Sequence, residues 1–570
     1  MYIAVVPNRS SPPAILLREG YREGGKVKNR TLANLSKLPP EAIEALRRVL
    51  KGEHLVSSEE LFEIVENGSR AHGNVDAVIT AMRRLKFPNL ISSRPSRERD
   101  LIVAMVAARI IRAQSKLATT RWWSCTTLPE VLDVDSADED ELYSAMDWLL
   151  MRQGRIEKKL AKRHLEDGGL ALYDLTSSYF EGVTCPLAKI GHNRDGKRGK
   201  LQVNYGLLTN KIGIPVAVSV FDGNSGDPKT LIPQVEKIRA EFGVSRFVLV
   251  GDRGMITQKQ VDALREVENT DWISALRPEA IRKLLKGGCI QMGLFDERNL
   301  FEIEHPDWPG ERLVACRNHE LAERRRVKRT DLLQATVAEL EKVRGMVSRG
   351  RLRDKGKIGV RVGKVVNKYK VAKHFVLTID DDSFEYSIDQ EKVDEEAALD
   401  GIYVIRTSVE KESMSADDAV RSYKQLANVE RAFRCLKSVD LMVRPIRHRL
   451  EDRVRAHIFL SVLAYYVQWH MIEAWRPMLF ADEDQEAKTR RDPVSPAKRS
   501  DAALEKVATK RLENGSPAHS FRTLLDHLGE IVKNTCRYVD AKPDSPTFDM
   551  VTSPNPTQQR ALDLLRSIRL

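Results

Sequence analysis

The pattern of apolar and polar positions divides the chain into segments with different predicted structure. Over the first forty residues, short apolar runs alternate with basic residues, which predicts a small β-ribbon, and a helix is predicted from about residue 40 to 50. Apolar positions then recur at helical spacing, which predicts one helix over 101–111 and another over 137–155. Ser136 and Glu139 have the spacing of a capping box at the start of the second helix.

Strand-like segments begin at about residue 168. Three apolar runs, LALYDL, KLQVNYGLL and IPVAVSVF, predict three strands, and TNKIG between the last two contains the Asn and Gly of a tight turn. A helix is predicted over 227–243, capped by Asp227 and ended by Gly243. The run RFVLVGD then predicts a central strand that is buried on both faces. This order predicts an α/β fold, with Asp174 and Asp252 where the first and fourth strands are expected to end.

The pattern changes again between residues 278 and 410. A long, strongly charged helix is predicted over 318–347, and the glycine-spaced runs after it, KIGVRVGKVV, HFVLTI and GIYVIRTS, predict strands. Helical periodicity returns from 411 to about 476, and the polar stretch over 481–500 has the composition of a linker. The tail contains at least one predicted helix, RTLLDHLGEIVK.

Composition excludes two broad classes of protein. Of the 570 residues, 42% are apolar and 31% are charged, so several folded units are expected and global disorder is excluded. No apolar run approaches the length of about 18 residues that a membrane span needs. The N-terminal sequence MYIAVVPNRS lacks the features of a secretion signal. We therefore expect a cytoplasmic protein that does not associate with a membrane.

Charge and cysteine content narrow the choice of partner. Lys and Arg number 93 and Asp and Glu number 81, which gives a net charge of +12 and favours an acidic partner, most commonly nucleic acid. The six cysteines are scattered without any C-x-x-C pair, which argues against a zinc ribbon or a disulfide scaffold.

One predicted helix, over 416–444, carries three chemically different side chains at regular spacing. Tyr423, Glu430 and Lys437 are seven residues apart, which is nearly two helical turns, so they are predicted to share one face with Arg434 beside them. An aromatic ring, a carboxylate and an ammonium on one face are suited to stacking on a base or sugar, holding a metal and binding a phosphate. The same pattern also fits a solvated helix face with i,i+4 charge pairs.

Two aspartates strengthen the functional interpretation. Asp174 in YDLTSSY and Asp252 in VGDRGM each follow an apolar strand, at the edge where open α/β folds bind their ligands, although turn or cap aspartates give the same pattern. Three carboxylates that converge with Glu430 repel one another unless divalent cations neutralise them, and Mg²⁺ prefers such oxygen ligands. Two such ions about 3.5–4 Å apart catalyse in-line displacement at phosphorus.

These motifs together resemble a known family. YDLTSSY, VLVGDRGM and the Y-x₆-E-x₆-K pattern of Tyr423, Glu430 and Lys437 resemble the DDE transposases of bacterial insertion sequences, in the group with a Tyr-Arg-Glu-Lys signature. VERAFRCLKS, RPIRHRLEDRVRAHIFLSVLAYY and GLLTNKIGIPVAVSVFDGNSGD are similar to the same group, so the resemblance covers about 165–470. It implies a ribonuclease-H-like core, a mixed sheet flanked by helices, in which Asp174, Asp252 and Glu430 are catalytic and bind two Mg²⁺ ions, with Mn²⁺ as the alternative.

The expected domain plan combines the pattern with the resemblance. A basic β-ribbon and helical region suited to binding DNA ends is expected over 1–95, and a helical region over 96–165. The ribonuclease-H-like core is expected in two parts, over 166–277 and 411–480, separated by a β-rich insertion with the long charged helix over 278–410. A linker and a C-terminal helical region are expected over 481–570.

The chain departs from the family signature at one position. The signature expects Arg three residues after its Tyr, where this chain has Leu426, and Arg431 and Arg434 are both candidates for the missing charge. The resemblance implies that Tyr423, Lys437 and Arg434 contact DNA. The expected partners are the double-stranded terminal inverted repeats of the element and the target DNA, bound by a homodimer at paired ends in association with the bacterial nucleoid. No nucleotide cofactor is implied.

The implied activity is transposition. Water would cut a phosphodiester at the end of the element, and the freed 3′-hydroxyl would then attack target DNA at the same carboxylate site. Two alternatives stay open: a catalytically silent DNA-binding derivative, and a ribonuclease-H-like nuclease that does not transfer strands. Cutting in the presence of Mg²⁺ excludes the first alternative, and joined strands exclude the second.

Overall fold

The computed structural model describes residues 1–9, 11–53, 61–295, 298–539, 542 and 544–570. The fold is mixed α/β, with one large sheet and many helices, as predicted. The chain forms two compact units. The first consists of Met1–Arg70 and Val532–Thr552, and the second consists of Ala71–Ile531 and Ser553–Leu570.

The strands of the described residues are β1 (Tyr2–Val6), β2 (Ala14–Glu23), β3 (Lys26–Asn34), β4 (Phe62–Ala71), β5 (Leu170–Tyr179), β6 (Gln202–Asn210), β7 (Pro215–Asp222), β8 (Phe247–Val250), β9 (Thr270–Ala275), β10 (Leu300–Ile303), β11 (Arg312–Arg317), β12 (Phe375–Ile379), β13 (Phe384–Ile388), β14 (Ile402–Thr407), β15 (Val532–Tyr538) and β16 (Phe548–Val551).

The α-helices of the described residues are α1 (Pro40–Leu50), α2 (Gly73–Arg84), α3 (Phe87–Ile91), α4 (Arg97–Ile111), α5 (Lys116–Trp123), α6 (Leu128–Leu132), α7 (Glu139–Leu150), α8 (Gln153–His164), α9 (Leu231–Glu236), α10 (Gln258–Arg265), α11 (Pro278–Lys286), α12 (His319–Ser348), α13 (Lys355–Lys368), α14 (Gln390–Ala397), α15 (Ala416–Lys424), α16 (Leu426–Arg434), α17 (Glu451–Trp475), α18 (Gln485–Arg490), α19 (Asp501–Thr509), α20 (Phe521–Leu528) and α21 (Pro556–Arg566).

The first unit contains two three-stranded sheets. β1, β2 and β3 form an antiparallel sheet, and α1 follows it, which confirms the predicted ribbon and helix. The second sheet has the order β16-β15-β4, and its β15 and β16 pair antiparallel. Only helix was predicted in the tail, because VKNTCRY and FDMV are too short and polar to give a clear strand pattern.

An eight-stranded mixed sheet is the centre of the second unit. Its order is β10-β11-β14-β9-β8-β5-β6-β7. β5, β6 and β7 pair antiparallel in sequence, whereas β8 runs parallel to both β5 and β9. The predicted order of three strands, a helix and a strand is confirmed. All four residues of β8 are buried, as expected for a central strand covered on both faces.

Helices pack around this sheet and share one apolar core with it. The central part of this core is α17, which packs against α4, α7 and β7. Every residue of α17 over 456–468 is buried, and burial on all sides explains its nearly continuous apolar sequence. Within the described residues, no helix is both long enough and apolar enough to span a lipid bilayer.

The helices predicted between 95 and 165 are present as α4 and α7. The predicted cap of the second helix is wrong. Ser136 has a φ of 61° and precedes the helix, and the side chain of Asp138 instead accepts a hydrogen bond from the backbone N–H of Glu141. Asp138 is the better cap because its carboxylate is directly next to the first turn and its free N–H groups.

The helix predicted over 227–243 is irregular. It begins with a 3₁₀ turn at Asp227–Thr230, continues as α9, and ends in a π-helical turn at Lys237–Glu241. Asp227 does not cap it, because the Arg194 guanidinium donates to both oxygens of the Asp227 carboxylate, at 2.5 and 2.6 Å.

A separate apolar cluster forms where α12 and α13 pack with β12 and β13. The predicted long helix is confirmed as α12, but the strand predicted for KIGVRVGKVV is wrong, because these residues lie in α13. The side chain of Asp354 caps α13 at the backbone N–H of Lys357, and Ile358, Val362 and Val366, four residues apart, bury one helical stripe. Segment 278–410, expected to be β-rich, therefore contains more helix than strand.

Candidate active site

Sheet register places two of the predicted acids side by side. In the parallel pairing of β5 and β8, Leu172 is the partner of Val250, and Asp174 and Asp252 each come two residues later. Residues two apart project from the same face of a strand, so Asp174 continues the row of Leu172, while Asp252 lies in the turn just after β8. Asp174 lies in the middle of β5, not at its end as predicted. The neighbouring strand β8 ends at Val250, so Asp174 lies on the part of β5 that extends beyond β8.

Short hydrogen bonds fix the backbone around both aspartates. Asp252 Oδ1 accepts from the backbone N–H groups of Gly254 and Met255, at 3.0 and 2.8 Å, which holds the turn after β8. Asp174 Oδ1 accepts from the N–H of Leu175 at 2.8 Å. Each carboxylate therefore has a defined position and keeps a second oxygen for other ligands.

The helical residues reach this row from α15 and α16. The helix predicted over 416–444 is instead divided into α15 and α16, followed by a π-helical turn at Cys435–Val439. α16 packs against β5 and carries the exposed Glu430. Because the predicted helix is divided, Tyr423 lies on α15, Glu430 on α16 and Lys437 in the π-helical turn, and the three do not share one helix face.

The pKa values of Asp174 and Tyr423 both depend on the neighbouring acids. Burial raises the pKa of Asp174 to about 7, and the charges of Asp252 and Glu430 contribute to the rise. Burial, Asp252, Glu430 and Asp174 together raise the pKa of Tyr423 to about 12. The Tyr423 hydroxyl therefore keeps its proton at neutral pH and is able to donate a hydrogen bond.

Lys437 has a different environment from the one its spacing predicts. It is buried, and its Nζ donates to Asp195 Oδ1 at 3.0 Å, while Arg444 Nη1 lies 2.5 Å from the same oxygen. Asp195 Oδ2 accepts from the backbone N–H of Tyr179 on β5, at 3.0 Å. Burial lowers the pKa of Lys437. Lys437 is thus a member of a buried ion-pair cluster.

The position of the missing signature arginine is explained by packing. Leu426 is 8% exposed and belongs to the main apolar core. Leu426 therefore contributes apolar packing, and the charge of the signature arginine is absent from this position. Arg431 and Arg434 are both exposed on α16 and so keep their charges available to a polyanion.

Two residues next to the acids were missed by the sequence interpretation. Arg194 contributes a positive charge that lowers the pKa of Asp174, and its guanidinium is held by Asp227. Asp195 is the shared acceptor for Lys437 and Arg444. Both lie in GHNRDGKRGK, whose density of polar residues and glycines was the available signal of a loop with a function.

The three acids offer the type of donor that a hard divalent cation prefers, but among the described residues they are not grouped as a metal site. Asp174, Asp252 and Glu430 offer carboxylate oxygens, the ligands that Mg²⁺ prefers. Burial, and then the charges of Asp252 and Glu430, raise the pKa of Asp174. Within the part of the chain that the structure describes, no three His, Cys, Asp or Glu side chains are grouped tightly enough to hold a metal ion.

Two family models match the chain. The model described as "Transposase DDE domain" matches residues 183–467, which is half of the sequence. The chain belongs to the DDE transposases. A second model, described as "IS1634 family transposase, N-terminal domain", matches residues 3–63. The predicted resemblance to insertion-sequence transposases is therefore confirmed, and the protein is a transposase, an enzyme that cuts and joins DNA.

The matched region includes two of the three proposed catalytic acids. Asp252 and Glu430 lie inside the matched region of this transposase, whereas Asp174 lies before its first residue. The assignment of Asp174 to the site therefore depends on the β5–β8 register and on its electrostatic coupling to the other two acids.

Solved transposase structures give remote likenesses. The transposase is similar to the cryo-EM structure of the piggyBac transposase synaptic complex with hairpin DNA, with 9% identity and a TM-score of 0.34, over 80% of this chain and 79% of that one. It is also similar to the Mos1 transposase paired-end complex with left transposon end, with 11% identity and a TM-score of 0.15, over 34% of this chain and 62% of that one. No curated protein matched the chain. The family assignment rests on the two family models.

Proposed function

We propose that this transposase binds the double-stranded ends of its insertion sequence and cuts and joins DNA at a site formed by Asp174, Asp252 and Glu430. The observation that carries the proposal is the β5–β8 register, which pairs Leu172 with Val250, two residues before Asp174 and Asp252. The shared influence of Asp252 and Glu430 on the pKa of Asp174 supports the inclusion of Glu430.

The three carboxylates are suited to holding two Mg²⁺ ions, with Mn²⁺ as the alternative metal. Such ions activate an attacking oxygen and stabilise the leaving oxygen at phosphorus. The aspartates are fixed by the sheet and by the turn after β8, whereas Glu430 is exposed on a helix and free to change rotamer. Since the described acids are not grouped tightly enough to hold a metal ion, we propose that the Glu430 side chain moves toward the aspartates when metal binds.

The neighbouring residues have distinct roles in the proposal. Tyr423 keeps its hydroxyl proton and donates a hydrogen bond to the phosphate or sugar near the scissile bond. Arg434 is exposed and binds the DNA backbone. Lys437 forms an ion-pair cluster with Asp195 and Arg444. In the proposal, this cluster lies against the bound DNA strand and Lys437 contacts a phosphate of that strand.

The strand order supports a ribonuclease-H-like core. Five neighbouring strands have the order β7-β6-β5-β8-β9. β6 is antiparallel to both β5 and β7, and β8 and β9 both run parallel to β5. In this core, the first acid lies on the first strand and the second acid follows the fourth strand.

Recognition of the DNA ends is assigned to the basic N-terminal unit. Its β3 exposes Lys26, Lys28 and Arg30, cations of the kind that bind phosphates or a DNA groove, although Lys28 and Arg30 pair with Glu23 and Glu19 of β2. Because two ends must be joined in one reaction, we further propose that the active form is a homodimer on paired ends.

The test is incubation of the purified protein with DNA that carries the element's own ends, with Mg²⁺ or Mn²⁺, followed by mapping of nicks and joined products. The proposal predicts both metal-dependent cuts at the ends and strands joined to target DNA. Binding without any cutting would favour a silent derivative. Cutting without joining, even when a pre-cut 3′-hydroxyl end is supplied, would favour a nuclease.

A further inference from the structure

A basic cavity lies apart from the three acids, within the second unit. It has a volume of about 320 Å³ and is lined by residues of α4, α5, α7, α17 and the segment 442–448. Its cationic and imidazole lining residues are Arg109, Lys116, Arg444, Arg447, His448 and His457. Among the described residues that line it, none is Asp or Glu.

Lys116 is the central observation. It is only 5% exposed, and its ammonium has no hydrogen-bond or ion-pair partner among the residues that the structure describes. Burial, with a contribution from Arg109, lowers its pKa to about 7. The side chain lines the cavity, and a largely buried ammonium without a carboxylate partner is costly unless an anion or water meets it there.

Arg109 adds a second buried cation that is held in position by the backbone. It is 6% exposed, its Nη1 donates to the carbonyl oxygen of Leu441 at 2.8 Å, and its Nη2 lies 3.4 Å from His457 Nδ1. These contacts orient the guanidinium but do not neutralise it. Its pKa is lowered to about 10 by burial.

The two histidines offer neutral polar groups. The rings of His448 and His457 are 4.8 Å apart between centroids. Burial and the nearby cations lower the pKa of His448 to about 3 and that of His457 well below its ordinary value. A neutral imidazole has one N–H. That of His457 donates from Nε2 to the carbonyl oxygen of Val443 at 3.1 Å, and its Nδ1 accepts from Arg109, which leaves the N–H of His448 for a ligand.

Carboxylates reach only the arginines at the edge. Arg444 is paired with Asp195 at 2.5 Å, and Arg447 with Glu181 at 3.0 Å. The charges of Arg109 and Lys116 have no such counterpart in the described residues. The interior of the cavity therefore carries positive charge that no carboxylate of its lining offsets.

We propose that this cavity binds one phosphate group, as inorganic phosphate or as a phosphate ester of a nucleic-acid strand. A tetrahedral oxyanion is able to accept hydrogen bonds from Lys116, from Arg109 and from the N–H of His448. The ring of Tyr143 forms part of the wall, and the volume accommodates a phosphate with the sugar attached to it. This inference is independent of the proposed carboxylate chemistry, since it requires neither a metal nor cutting.

The first test measures the thermal unfolding of the full chain with increasing inorganic phosphate, without divalent ions, at an ionic strength held constant with chloride. We expect a saturable rise in Tm for the wild type, because a ligand that binds only the folded state stabilises it. Lys116→Met should bind phosphate about tenfold more weakly or worse. In the absence of phosphate, this variant should unfold at the same temperature as the wild type or a higher one, because it removes an unpaired buried charge.

The matched control is Lys158→Met, which removes an exposed lysine of α8 and should keep the wild-type response to phosphate. The inference is overturned if phosphate raises the Tm of the wild type no more than chloride does. It is equally overturned if Lys116→Met responds as the wild type does.

Calorimetric titration with two oligonucleotides of one sequence then identifies the source of the phosphate. One carries a 5′-phosphate and the other a 5′-hydroxyl, and each is titrated into the wild type and Lys116→Met. A loss of affinity confined to the phosphorylated strand assigns the cavity to a strand end, and an equal loss for both assigns it to internal phosphates. An effect of Lys116→Met on inorganic phosphate alone assigns it to the free ion.

Discussion

At the scale of the residue, Asp195 shows how one buried carboxylate organises the surroundings of the proposed catalytic acids. Its side chain is 1% exposed, and a single oxygen receives both Lys437 and Arg444. Its other oxygen is bound to the backbone of β5, the strand that carries Asp174. The charge of Asp195 therefore connects the π-helical turn after α16 to the central sheet.

Replacement of Asp195 by Asn tests this role. Asp195→Asn leaves two partly buried cations without their acceptor charge, so we expect the free energy of unfolding to fall by about 3 kcal/mol. The measurement is chemical denaturation followed by circular dichroism. As a control, Glu141→Gln breaks the exposed pair with Arg97 and should change stability by less than about 1 kcal/mol. Equal effects of the two substitutions would contradict the assigned role.

The sequence allowed prediction of some residues and not of others for a physical reason. Asp252 was identifiable because it directly follows a buried strand, and Glu430 because its neighbours on the helix have a regular spacing. Asp195 was not identifiable, because its partner Lys437 is 242 positions away in the chain. A contact of that separation depends on the tertiary fold, which local pattern does not encode.

At the scale of the element, the strands of the large sheet and the helix α12 followed from pattern, because each has one strong period. The failures occurred where two signals conflict. Glycines at regular spacing in KIGVRVGKVV suggested strand, but apolar positions four residues apart determine the helix α13. The π-helical turns after α9 and α16 could not be predicted, because one inserted residue leaves no local trace in an apolar pattern.

The glycines of α13 provide a test at this scale. A Cβ added at Gly359 or Gly363 meets no atom within 4 Å, and neither residue has a positive φ. Gly359→Ala and Gly363→Ala together should therefore raise the free energy of unfolding by about 1–2 kcal/mol, because alanine is the better helix former. Chemical denaturation measures the change.

The matched control for this test is Gly243→Ala. Gly243 also has open space around it, but its φ is +73°, so alanine is strained there and should lower stability by about 1 kcal/mol. Loss of stability in the α13 variant would contradict the helical assignment.

At the scale of the whole molecule, the net charge of +12 contributes to DNA binding and the proposed carboxylate site contributes to DNA cutting, and the two are separable. Binding of DNA by basic surfaces depends on phosphate contacts and salt, whereas cutting depends on the acids and their metal. Chelation with EDTA should therefore abolish cutting and leave the affinity for end DNA nearly unchanged. Gel-shift and nicking assays on the same samples measure both, and the affinity alone should fall steeply as salt increases. Loss of DNA binding on chelation would contradict this separation.

The central claim is that Asp174, Asp252 and Glu430 act as one metal-dependent site, and the rate of Mg²⁺-dependent nicking of end DNA tests it most directly. Each of Asp174→Asn, Asp252→Asn and Glu430→Gln should lower that rate about a thousandfold or more while DNA binding is retained. Glu236→Gln, which alters an exposed glutamate of α9, should nick at the wild-type rate. Retention of nicking within about tenfold of wild type by any one of the three variants would contradict the claim.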